Sequence, residues 1–190
     1  MKLTSRTERS RALILDAAEI IFREEGFDGA TVEAIATRAG LTRKTAYNLF
    51  GSKEEIAHAL IARAEAIDTG YRSRIDANEN AATLIETVLI DSANWCMANP
   101  SLARMALIPE RRPSATPPAD RPSFQGLVTD IVALGQKQEL IRRDEDAGYL
   151  ALVLLAVFGQ AMLNAIGEKL LSEDEIRTII RLVFEGIGAR

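Results

Sequence analysis

The 190-residue chain has one cysteine, one histidine and one tryptophan, and aromatic residues make up only 5% of it. A lone thiol, Cys96, excludes an intrachain disulfide, and no apolar run of the kind that directs secretion follows the first basic residues, so a cytoplasmic location is expected. His58 is the only imidazole, and no Cys, Asp or Glu set stands at ligand spacing around it; a metal site is not expected. Also missing are a glycine-rich phosphate loop and any Ser-His or Cys-His arrangement beyond the unrelated pair His58 and Cys96. An enzyme is therefore not expected, and no cofactor is implied. Strand-like alternation occurs nowhere, which leaves an all-α chain. Its apolar share of 47% is enough for one substantial core or two smaller ones.

What is present is most informative between Thr31 and Phe50, TVEAIATRAGLTRKTAYNLF. Val32, Ile35, Ala36 and Ala39 recur at offsets of three and four, lining one face of a short helix and leaving Glu33, Thr37 and Arg38 outside. Gly40 supplies the left-handed geometry that ends a helix, and Leu41 drops an apolar anchor into the turn. Thr42 is a good N-cap for a second helix. In that helix Ala46, Leu49 and Phe50 share the core side, so Arg43, Lys44, Tyr47 and Asn48 project outward. This is the pattern of a helix-turn-helix. A major groove admits such a helix, and Arg43, Lys44 and Asn48 are the residue types that pair with guanine or adenine edges. Thr31, Thr42, Thr45, Tyr47 and Lys53 suit phosphate.

The net charge of −4 divides unevenly along the chain. Met1 to Lys53 holds nine Lys or Arg against seven Asp or Glu, and Glu54 to Arg190 holds fourteen against twenty, so the two parts carry +2 and −6. A basic end on an acidic body orients approach to a polyanion. Lys2, Arg6, Arg9 and Arg11 extend the basic end and are expected to form an arm against the DNA.

The stretch AAEIIFREEGFDGATVEAIATRAGLTRKTAYNLFGSKEEI, within Arg6 to about Ala66, resembles the DNA-binding domain of the TetR (tetracycline-repressor-like) family of transcriptional regulators. The shared pattern is a long first helix, a Gly-Phe turn, the helix pair and a Tyr-x-x-Phe-x-x-Lys-Glu junction. The resemblance implies Arg43 and Lys44 as base readers, Thr42, Thr45, Tyr47 and Lys53 as phosphate contacts, and Asn48 as a base or backbone contact. Lys44 and Leu49 depart from the residues common at those positions, which affects the operator sequence more than the binding mode. It also implies two domains: residues 1–68 for DNA, with the helix-turn-helix at about 31–50, and a helical domain at 69–190 for effector binding and dimerisation.

The flanking sequence is compatible. Ala12, Leu15, Ala18, Glu19, Ile20, Ile21 and Phe22 predict a first helix over about Thr7 to Glu25, ended by Gly26. Ser52 and Glu55 form a capping box that starts a fourth helix, running to about Tyr71. Further helices are expected at about Asn80–Ala98, Ser101–Glu110, Pro122–Lys137, Asp144–Lys169 and Ser172–Gly186. The proline-rich loop Pro109–Pro122 reads as an entrance flap. The apolar run Tyr149–Gly159 is about half the length that a bilayer requires and is interrupted by Gln160 and Asn164, so no membrane span is expected. A helix apolar nearly all round is instead expected to be buried all round, as a homodimer allows. In the resembled family the last two long helices pair across the dimer, here about 144–169 and 172–187, which points to Leu152, Leu155, Ala156, Phe158, Gly159, Met162, Ile180 and Phe184. The family encloses a small-molecule effector in the remaining helices, and the candidate lining is Asn94, Trp95, Met97, Met105, Phe124, Gln160 and Asn164.

The expected function is a transcriptional regulator, in the usual case a repressor, that binds a near-palindromic double-stranded operator as a homodimer and is released by a small hydrophobic effector. Two rivals stay open on the sequence alone: the same fold sensing oxidation through Cys96, and a helical protein-interaction module without DNA binding.

Overall fold

A computed structural model describes residues 6–66, 70–108, 123–168 and 172–187, with only the backbone described for Ala66, Glu168, Glu173 and residues 184–187. Ten helices follow one another among the described residues: α1 (Arg6–Gly29), α2 (Val32–Arg38), α3 (Arg43–Leu49), α4 (Lys53–Ala66), α5 (Tyr71–Asp76), α6 (Ala81–Ala98), α7 (Pro100–Leu107), α8 (Phe124–Lys137), α9 (Ala147–Glu168) and α10 (Glu173–Ile187). The all-α expectation holds. Two compact units emerge, one comprising the chain up to Ala64 with Ala98–Ala106, the other Glu65–Met97 with residues from Leu107 onward. Helix α7 thus packs almost wholly in the first unit.

In the first unit the buried stripe of α1 is Ile14, Ala17, Ala18, Ile21 and Phe22, whereas Ala12 and Ile20, expected on it, are exposed. Helix α1 packs on α2 and α3, and Val32, Ile35 and Ala36 of α2, Ala46 of α3, Phe50, Ile56, Ala57 and Leu60 of α4, and Leu102 and Ala103 of α7 are buried in the same unit. Gly26 breaks α1 with φ 73°, so the chain turns where the sequence predicts, although three further residues remain in the helix. Arg63 of α4 reaches Asp16 at 2.6 Å and Glu19 at 2.8 Å, tying α4 to α1.

The periodicity carries the fourth helix to about Tyr71, but Gly70 interrupts it. Gly70 adopts φ 82°, and a separate six-residue helix, α5, starts at Tyr71. The buried Tyr71 hydroxyl donates to Asp91 of α6 at 2.5 Å.

In the second unit α9 packs on α8 and α10. Leu150, Ala151, Leu154, Phe158, Met162, Ala165 and Ile166 are buried there, beside Val128, Ile131 and Val132 of α8 and Ile176 and Ile180 of α10. The other side of α9 faces out: Tyr149, Val153, Ala156, Val157, Gln160 and Asn164 are exposed at helical spacing. Burial all round is therefore absent within one chain. Ala147–Gly167 is long and apolar enough to cross a membrane by length and composition, more than the short apolar run suggests. Its tight packing on two amphipathic helices is what a core helix shows. The expected flap, 109–122, and Lys2 of the expected arm lie outside the described residues.

Candidate nucleic-acid interface

The turn between α2 and α3 is built by local hydrogen bonds. Gly40 stands at φ 68°, its N–H donates to the Thr37 carbonyl at 3.0 Å, and the Leu41 N–H donates to the Ala36 carbonyl at 2.9 Å. These two bonds close a Schellman motif that a side chain at Gly40 would strain. Thr31 caps α2 by accepting from the Ala34 N–H at 3.1 Å, and Thr42 caps α3 by accepting from the Thr45 N–H at 3.2 Å. The Thr42 and Thr45 hydroxyls are also bonded to each other at 2.9 Å.

With Ala46 and Phe50 locked in the core and Leu49 half-buried, α3 has one rotation open to it. Arg43, Lys44, Tyr47 and Asn48 consequently lie exposed on its free side, as the spacing predicts. Arg43 stacks its guanidinium on Tyr47, 5.3 Å from the ring centre, and pairs with Glu33 of α2 at 2.7 Å. Lys44 and Asn48 make no side-chain hydrogen bond or ion pair with another described residue, a state open to an incoming ligand.

Lys53 and Arg11 both hold backbone carbonyls of their own unit. The Lys53 ammonium donates to the carbonyls of Phe27 at 2.6 Å, Ala30 at 3.0 Å and Asp28 at 3.5 Å, and lies over the Phe27 ring. Its three N–H bonds thus close the bent end of α1, and a phosphate would have to displace one of them. Arg11 is part of α1 instead of an arm: it donates to the Leu49 carbonyl at 2.6 Å at the C-terminal end of α3 and covers the Phe50 ring at 4.1 Å. A cation there complements the carbonyl end of a helix. Neither role has a sequence signal, since the partners are 23 or more residues away. Replacing Lys53 by Met should lower stability by about 1–3 kcal/mol through the carbonyls left without a donor, as urea unfolding would measure.

The capping box at α4 is also modified. Ser52 accepts from the Glu55 N–H at 3.2 Å, but the Glu55 carboxylate takes the N–H of Gly51, at 2.9 Å, in place of that of Ser52. A complete box occurs at α10, where Ser172 and Glu175 exchange bonds of 2.8 and 3.3 Å.

Asn94, Gln160 and Asn164, expected to orient an effector, are exposed, and Gln160 donates to Asn164 at 3.0 Å along the outer side of α9. Trp95, Met97 and Phe124 are half-buried in the second unit, whereas Met105 belongs to the first. Of the expected dimer residues, Phe158, Met162 and Ile180 are buried within the single chain, Leu152, Leu155 and Gly159 are half-buried, Ala156 is exposed, and the side chain of Phe184 lies outside the described residues.

Cys96 is buried on α6, and burial pushes its thiol up to about 11. The thiolate that oxidants and alkylating agents attack is then scarce at neutral pH. Cys96 should resist iodoacetamide in the native protein and react once it is unfolded in guanidinium; rapid modification of the folded chain at pH 7.5, roughly a unit below an unperturbed thiol, would return it to consideration as a sensor.

A helix held by its partners so that one cationic, hydrogen-bonding face stays open defines the class: a helix-turn-helix DNA-binding protein. Residues 14–60 match the family model described as bacterial regulatory proteins, tetR family. The chain is 38% identical over 61 residues to the HTH-type transcriptional regulator SrpR of Pseudomonas putida, covering 32% of this chain and 29% of that one. It is 27% identical over 99 residues to the nucleoid occlusion factor SlmA of Actinobacillus pleuropneumoniae, covering 52% and 49%. The matched part therefore spans half or less of these curated relatives. Over 95% of this chain and 96% of the other, the fold is shared with Thermus thermophilus FadR, a TetR family transcriptional repressor in complex with lauroyl-CoA, at TM-score 0.69 and 19% identity. The tetR-family likeness in sequence is thus carried by the N-terminal part of the chain, residues 14–60, which holds the helix-turn-helix.

Proposed function

We propose that this regulator binds a near-palindromic operator in the cytoplasm as a homodimer, inserting α3 of each subunit into the major groove. The observation that carries this reading is the open face of α3, where Arg43, Lys44, Tyr47 and Asn48 stand exposed over a buried Ala46. Arg43, Lys44 and Asn48 offer base contacts, while Thr31, Thr42, Thr45 and Tyr47 offer phosphate contacts. Two such helices on a twofold axis would sit about 34 Å apart, one turn of the duplex. The exposed stripe of α9, including Tyr149, Val153, Ala156 and Val157, supports a partner subunit on that side, since apolar residues so aligned gain from a second copy.

The regulator of shared fold holds lauroyl-CoA, and the half-buried Trp95, Met97 and Phe124 suit an apolar ligand in this chain too. Its binding would favour a dimer with α3 at the wrong separation, and a coupling of about 1–3 kcal/mol would lower operator affinity roughly 5- to 150-fold. Equal effector affinity for free and DNA-bound dimer would rule this out. Repression is the proposed outcome.

Titration of the purified protein against duplex fragments flanking its own gene, over a salt series, tests the DNA reading. One fragment should bind tightly, with log affinity falling linearly against log salt. Equal, weak binding to all fragments would favour the protein-interaction rival unless a randomised duplex pool yields a motif.

A further inference from the structure

Resting on the DNA-binding reading, we propose that Glu33 is a positioning residue for base readout: it holds Arg43 so that the outer edge of its guanidinium meets one defined base pair, while its charge suppresses binding to other sequences. Glu33 belongs to α2, and its carboxylate Oε1 lies 2.7 Å from the Nε of Arg43, the first residue of α3. Both side chains are largely in solvent, Arg43 at 68% and Glu33 at 43%. The pair is therefore a feature of the presented surface and not of the core.

The position of the carboxylate matters. It occupies the Nε side of the guanidinium, and the guanidinium carbon lies over the Tyr47 ring, 5.3 Å from its centre. An Arg held on its inner edge and stacked on one face keeps the two terminal nitrogens clear. That pair is the fork that matches guanine O6 and N7. An unrestrained Arg with five donors would have to lose more rotamer freedom on reaching one base, and could settle on a neighbouring phosphate instead. The capped start of α3 at Thr42 fixes the backbone from which Arg43 springs, so the side chain is restrained at both ends.

The same carboxylate stands beside a surface meant for a polyanion, where it opposes phosphate wherever the base contact is not made. Glu33 should thus have two separable effects. It sharpens preference at the base pair that Arg43 reads, and it weakens binding to duplexes lacking the site. The first acts through Arg43; the second is a property of the charge alone.

The experiment uses the full chain and a randomised duplex pool. Selected duplexes and their single-base-pair variants are then titrated against wild type, Glu33→Ala, Arg43→Ala and the double variant, with circular dichroism confirming that each is folded. Wild type should enrich a motif in which one G·C pair loses its preference in Arg43→Ala. Glu33→Ala should reduce discrimination at that same pair about 2- to 5-fold, the size an exposed ion pair supplies, and leave other pairs unchanged. In the Arg43→Ala background the Glu33 substitution should change no base preference, yet should still strengthen binding to unrelated duplex. Undiminished discrimination in Glu33→Ala, or an equal loss at every position, would overturn the inference while leaving the DNA reading intact. Failure of wild type to enrich any motif would overturn both.

Discussion

Replacing Arg43 and Lys44 together by Ala lowers affinity for the selected operator by at least about 100-fold, because each lost base contact removes about 1–3 kcal/mol and every loss occurs in both subunits. Binding to unrelated duplex falls far less, and the salt dependence becomes shallower. The fold should be untouched. Both side chains are exposed, and the one ion pair removed, Arg43 to Glu33, is of the exposed kind that contributes about 0–1 kcal/mol. Helical content and the urea midpoint therefore stay close to wild type. A matching loss of stability would instead mean that α3 had come apart, and unchanged operator affinity would place the reading surface elsewhere.

The second large effect belongs to α9. Val157 is 44% exposed in the single chain, so a Glu there costs an isolated subunit within about 0.5 kcal/mol. If the α9 stripe is the face of a twofold dimer, the same substitution puts two carboxylates near one axis, out of water and beside each other. Uncompensated buried charge costs several kcal/mol, so Val157→Glu should raise the dimer dissociation constant by more than about 100-fold. Sedimentation would show a folded monomer, and operator affinity would fall with it because one helix-turn-helix holds DNA weakly. A Val157→Glu protein that remains a dimer would remove this stripe from the interface.

The helix-turn-helix was legible in the sequence because each of its features is local. Gly40, Thr42 and the offsets among Val32, Ile35, Ala36 and Ala46 act within one or two turns of chain, and the positive φ and the two caps follow from them. The family could be inferred from the same stretch. What could not be read depends on long-range partners. Lys53 looks like a phosphate contact by position, yet the carbonyls of Phe27, Asp28 and Ala30 occupy it. Arg11 caps α3 from 38 residues away, and Glu33 reaches Arg43 across the turn.

Helix α9 shows a different limit. A helix apolar nearly all round carries no periodicity to say which side faces its own core. Phe158 and Met162 consequently look as suitable for a partner subunit as Tyr149 and Val153, and the packing on α8 and α10 decides between them. The polar residues mislead for the same reason: Gln160 and Asn164 bond each other on the outer stripe, where the sequence alone offers them to a ligand. The break at Gly70 leaves no mark on the periodicity, because the sequence on either side of it continues a helical pattern.

Hydroxyl-radical footprinting on a selected operator decides whether two copies of α3 read one duplex in successive major grooves. Two equivalent protected patches related by a dyad are expected, with centres about 10 base pairs or a multiple of that apart, both lost in the Arg43→Ala, Lys44→Ala protein. A single patch, or diffuse protection that survives the double substitution, would contradict it.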